Sequence, residues 1–111
     1  MLGFRNAEMK QLILRLGALF VAWYFSMIIL LYCHESVHVA IYKAYDCYAS
    51  FSLDPISLSG TTYAINNCNL PKEGYFLHAL NELVGYNLVA VISIVFLNAA
   101  ITEVVERLFS R

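Results

Sequence analysis

Residues 16–33 read LGALFVAWYFSMIILLYC, and residues 83–102 read LVGYNLVAVISIVFLNAAIT. Neither run contains Asp, Glu, Lys, Arg or His. Each is close to the roughly 20 residues that carry a helix across about 30 Å of hydrocarbon. A helix satisfies its own backbone polar groups, and with no partner strands at hand it is the only spanning form open to these runs. The first run is too long for the apolar core of a signal peptide, and no small-x-small cleavage site follows it.

Composition points the same way. The 111 residues are 60% hydrophobic, 14% aromatic and 14% charged, with a net charge of −1. Soluble domains carry about 25% charged residues, so a water-soluble monomer is excluded, and the aliphatic content excludes disorder. A near-neutral chain also lacks the basic footprint that nucleic acid requires. The sequence therefore predicts a single all-α integral membrane domain over residues 1–111. It consists of an antiparallel two-helix transmembrane hairpin with a short β-prone extramembrane connection, and its first partner is the lipid bilayer.

The helices are expected to run past the hydrocarbon. EMKQLILRLG before the first run has helical spacing, with Lys10 and Arg15 placed to snorkel. HESVHVAIYKAYD after it holds no Pro or Gly, which gives a first helix over about residues 11–45. Pro71, Lys72 and Glu73 suit a helix start, giving a second helix over about 73–109. Arg5, Lys10 and Arg15 precede the first span and Arg107 and Arg111 follow the second, whereas the connection side holds Lys43 and Lys72. The positive-inside rule then puts both termini in the cytoplasm and the connection outside. Tyr42, Tyr45, Tyr48, Tyr63 and Tyr75 gather toward that outer interface as an aromatic belt would. Trp23, Tyr24 and Phe25 read as packing residues, and Glu103, Glu106 and Arg107 as a solvated helix end.

The connection, residues 47–70, reads CYASFSLDPISLSGTTYAINNCNL, with Asp-Pro and Ser-Gly as turn signals. SFSL and TTYAI are short β-prone pieces, fit for a hairpin or an edge strand. Cys47 and Cys68 bracket the segment at the mouths of the two helices. An outside location would favour a disulfide between them, provided that their Cα atoms come within about 7 Å. Cys33 reads as a small buried hydrophobe.

Chemistry enters at the outer end of the first span, where residues 34–38 read His-Glu-Ser-Val-His. On a helix, the i, i+4 spacing of His34 and His38 puts both imidazoles on one face about 6 Å apart, able to share one tetrahedral zinc ion. Glu35 then stands beside the metal, where it could take a proton from water. His78 and Glu82, again i and i+4, lie immediately before the second apolar run. In an antiparallel hairpin all five residues share one depth near the outer interface. Ionisable groups placed there are costly and usually functional, although a hydrated helix start would also collect polar residues.

HESVH, followed on a second helix by Asn81-Glu82, resembles the gluzincin arrangement of zinc metallopeptidases. Membrane-embedded enzymes of the prenyl-protein protease and site-2-protease types likewise carry HExxH on a transmembrane helix. The resemblance implies His34 and His38 as metal ligands, Glu35 as general base, Glu82 as third ligand and a peptide substrate. The chain has no Asp-Gly pair, from which site-2-type enzymes take their third ligand, and Glu82 is followed by Leu83-Val84-Gly85-Tyr86 rather than x-x-Ala-Asp. His78 stands as an alternative or additional ligand, and His78, Tyr75 or Tyr86 as a donor to an oxyanion or substrate.

Three functions fit these residues. The first is a minimal zinc metallopeptidase, its substrate aligned as an extended strand along Thr61–Ile65. The second is a non-catalytic subunit of a larger membrane complex, its GYN and NAA stretches suiting tight packing against other subunits. The third uses Glu35-x-x-His38 as the ExxH of a carboxylate-bridged iron or manganese pair. A homodimer would supply two such motifs and two copies of Glu82.

Overall fold

The computed structural model describes residues 6–109; Arg5 and Arg111 of the charge argument lie outside them. Two long apolar helices are joined by a short two-stranded antiparallel sheet: α1 (Asn6–Ala44), β1 (Ala49–Asp54), β2 (Ser59–Ala64) and α2 (Lys72–Phe109). Both helices are long and apolar enough to cross a membrane. Glu8 in the first turn and Lys43 in the last complement the dipole of α1, and Glu73 and Arg107 do the same for α2.

The first helix is already formed at Asn6, the first described residue and earlier than the expected residue 11, because the polar-flanked MKQLIL stretch keeps helical spacing without a breaker. It ends at Ala44, short of Asp46. Asp46 adopts φ 59°, the left-handed conformation that Asp tolerates better than most residues. The amide of Cys47 then turns back to bond the Tyr42 carbonyl at 2.9 Å. With the Asp46 amide bonded to the Lys43 carbonyl at 3.1 Å, this six-residue Schellman turn closes the helix and reverses the chain.

The chain forms two compact units. One comprises residues 6–26 and 90–109. There Trp23 donates to Ser93 Oγ at 3.1 Å, Arg15 pairs with Glu103 at 3.2 Å and Arg107 donates to Gln11 at 2.8 Å. Glu103 is thus an ion-pair partner rather than a merely solvated acid.

The second unit, Met27–Val89, holds the functional candidates. His34 meets Glu82 and His38 meets His78, so numbering rises along one helical segment as it falls along the other, and the segments run antiparallel. β1 and β2 pair in the register Ala49↔Ala64 to Asp54↔Ser59. At the turn, Asp54 Oδ1 accepts the amides of Ile56 at 3.0 Å and Ser57 at 3.4 Å, an Asx arrangement that Asp favours. At the base, a disulfide joins Cys47 and Cys68 with a Cα–Cα distance of 5.7 Å, and Asn66 Oδ1 accepts the Tyr48 amide at 2.9 Å.

Strand alternation decides what faces the helices. Phe51, Leu53, Gly60 and Thr62 are half-buried, whereas Ser52, Asp54, Thr61 and Tyr63 are exposed. The inner row lies against α1, with the ring of Phe51 5.4 Å from that of Tyr32. The Ile65 amide bonds the Tyr48 carbonyl at 2.7 Å, which makes 48/65 a hydrogen-bonded pair. In an antiparallel ladder such pairs alternate. Gly60 and Thr62 therefore direct their own N–H and C=O groups to the unpaired edge of β2.

Cys33 is free and exposed, not buried as expected. The inward face of α1 at this level is taken by Glu35 and His38, 4% and 8% exposed, and a residue just before His34 turns away from it.

Candidate metal centre

Burial at this level of the unit is chemically unusual. Acidic side chains are rarely fully buried unless paired, and here Glu35, with His38, is among the few buried residues. The i, i+4 spacing on α1 sets His34 edge-on to His38, with ring centroids 4.7 Å apart and the planes 85° from parallel. Their Nε2 atoms converge to 3.2 Å. From α2, Glu82 Oε1 comes to 3.1 Å from His34 Nε2 and 2.6 Å from His38 Nε2.

His34, His38 and Glu82 form a group that could hold a metal ion. A tetrahedral ion with bonds of about 2.0–2.1 Å sets its donor atoms roughly 3.3 Å apart. The His34–His38 and His34–Glu82 spacings lie close to that, and His38–Glu82 is tighter. Charge agrees with the geometry. Glu35 and Glu82 bring two carboxylates to one site, and among the described residues their ion-pair partners are histidines, not Lys or Arg. A divalent cation would balance them.

His34 and Glu35 are held from behind. Asn81 Nδ2 donates to the His34 carbonyl at 3.0 Å, tying α2 to α1 beside Glu82. The His34 ring lies against Gly85, where an added Cβ would come within 2.7 Å of Nδ1 and 2.9 Å of Cε1. Glu35 is held by the sheet: Thr62 Oγ1 makes a short hydrogen bond to Glu35 Oε2. A Cβ on Gly60 would sit 2.8 Å from Glu35 Cγ, so only glycine lets the strand approach this closely. Glu35 Oε1 remains on the metal-facing side, 4.0 Å from His34 Nε2.

His78 stands apart from the three donors. Its Nδ1 lies 2.6 Å from Nδ1 of His38, across that ring from Nε2, and its own ring packs 4.6 Å from Tyr42. An open cavity of about 400 Å³ adjoins the group, with Glu35, Thr62, Tyr75, His78 and Glu82 in its wall. Tyr75 therefore reaches the cavity. Tyr86 is 71% exposed and does not line it, so the structure does not bring that residue to the site.

Thr62, Gly60 and Gly85 are the participants that motif reading overlooks. Their roles come from tertiary contact; the sequence signals were the β-prone character of TTYAI, the Ser-Gly pair at Gly60 and the small-residue GYN stretch at Gly85. The chain matches no family model, no characterised protein and no solved structure.

Proposed function

We propose that this protein is a membrane-embedded zinc peptidase of minimal size. Its two helices would span the bilayer as a hairpin, with the site at the outer interface. The observation that carries this reading is the convergence of His34 Nε2, His38 Nε2 and Glu82 Oε1 beside a separately held Glu35. Two imidazoles and one carboxylate leave an ion an open position, as hydrolytic zinc sites require. Bound there, zinc would polarise a peptide carbonyl and acidify water.

The remaining work falls to the chain itself. Thr62 occupies one oxygen of Glu35, so Oε1 is the atom left to accept the proton of the attacking water and return it to the departing amine. The unpaired edge of β2 offers the N–H and C=O groups of Gly60 and Thr62 to an extended peptide beside that carboxylate. Tyr75 in the cavity wall would offer its hydroxyl to the bound substrate.

Metal analysis of the purified chain tests the reading. We expect one zinc per chain in the wild type and its loss in His38→Ala. Glu35→Gln should keep the metal and lose peptide hydrolysis. Zinc retained by a wild type without hydrolytic activity would favour the structural-subunit function. Two irons or manganese ions per dimer would favour the carboxylate-bridged pair.

A further inference from the structure

His78 lies outside the donor group, yet it meets one of its members at 2.6 Å, Nδ1 to Nδ1. Two imidazole nitrogens so close must share one proton, because two lone pairs or two N–H groups would repel. The other nitrogen of His38 is the one that faces His34 and Glu82. We infer that His78 is a positioning residue which fixes the tautomer and orientation of His38 for metal binding. This rests on the metal reading of the site and adds a residue to it.

The proton count follows from the geometry. With its Nε2 lone pair turned to a metal, His38 would carry its proton on Nδ1 and donate it to Nδ1 of His78. His78 must then carry its own proton on Nε2. That atom is buried with no hydrogen-bond partner among the described residues. An orphaned buried donor is destabilising, so packing alone gives no reason for a histidine here. A bond to the non-ligating nitrogen of a metal-bound histidine does give one. Such bonds hold the ring in place and make its ligating nitrogen more basic, and a carboxylate or carbonyl usually accepts them. Here an imidazole takes that place.

Neighbouring contacts support the arrangement. Tyr42 follows His38 by one turn of α1, and its ring lies 4.6 Å from that of His78. The His38 and His78 rings are 4.9 Å apart and 26° from parallel. Position 78 precedes Glu82 by one turn of α2, so one helical face provides both the third donor and the brace for the second.

The test is zinc and cobalt affinity of the full chain in lipid nanodiscs, with the absorption spectrum of bound cobalt as a second readout. H78A should weaken both metals roughly 10- to 100-fold while leaving the cobalt spectrum that of the wild-type ligand set. H78N places an amide oxygen where Nδ1 accepts, and it should recover most of the affinity. Equal affinity in wild type and H78A overturns the inference alone. So does a changed coordination spectrum in H78A, which would make His78 a ligand. Failure of the wild-type chain to bind either metal overturns the metal reading itself.

Discussion

At the scale of single residues, the site depends on two positions where a side chain is missing and one where a hydroxyl is present. Gly85 lets the His34 ring lie against α2. In Gly85→Ala the new methyl must push that ring, and the ring can yield only by leaving Glu82 Oε1. We expect metal affinity to fall at least about 10-fold, a loss of the size seen when a ligand is displaced from its support, measured by competition with a chelating dye. Thr62→Val should act differently. It removes the hydroxyl that fixes Glu35 Oε2 but touches none of the three donors. Zinc content should stay unchanged while kcat for peptide hydrolysis drops about 10- to 100-fold, the order expected of a misplaced catalytic group. Loss of zinc along with activity would instead make Thr62 a structural prop. The pairing of His34 with His38 was legible in the sequence because a helix makes i and i+4 neighbours by local geometry. Thr62 was not, since nothing in the spacing from Glu35 says that a strand will fold back over the helix.

At the scale of elements, the two helices were readable from their uncharged runs. Asp46 stops α1 through a left-handed backbone that carries no hydrophobic signature. The exposure of Cys33 likewise depends on which face Glu35 and His38 claim, a tertiary matter. The hairpin between the helices is held at its base and at its turn, and each fastening can be probed. The Cys47–Cys68 bridge closes a sequence separation of 21 residues, which in the chain-entropy view stabilises by about 3 kcal/mol. Replacing both cysteines with serine should speed amide hydrogen exchange across residues 48–67 about 100-fold, the kinetic equivalent of that figure. At the turn, the Ser57 side chain and then the amides of Ile56 and Ser57 hold the Asp54 carboxyl below the usual carboxylate range. A depressed pKa means that the turn gains full support above the ordinary value and loses it as pH falls through the lowered one. The Ile56 and Ser57 amide resonances should therefore move together in that acid window in the wild type. They should be insensitive to it in Asp54→Asn.

At the scale of the whole molecule, the chain places few charges, and where it places them decides its partner. The most apolar windows of the two helices are only 6% and 0% buried within the chain. Surfaces so apolar need lipid or other proteins around them. Charge then gives direction. Arg5, Lys10, Arg15, Arg107 and Arg111 flank the apolar runs on the terminal side, against Lys43 and Lys72 on the other. Basic flanks resist translocation, so the termini should stay in the cytoplasm and the hairpin with its metal group should lie outside. Thiol labelling can read this directly. In a Cys33→Ser background, where Cys47 and Cys68 are already bridged, Ser57→Cys marks the hairpin turn and Ala7→Cys the N-terminal end of α1. A membrane-impermeant maleimide added to intact cells should label the first and spare the second until the membrane is opened. The reverse pattern would put the metal group on the cytoplasmic face, where a reducing environment would not sustain the Cys47–Cys68 bridge. Topology and disulfide thus stand or fall together, and the labelling pattern tests both.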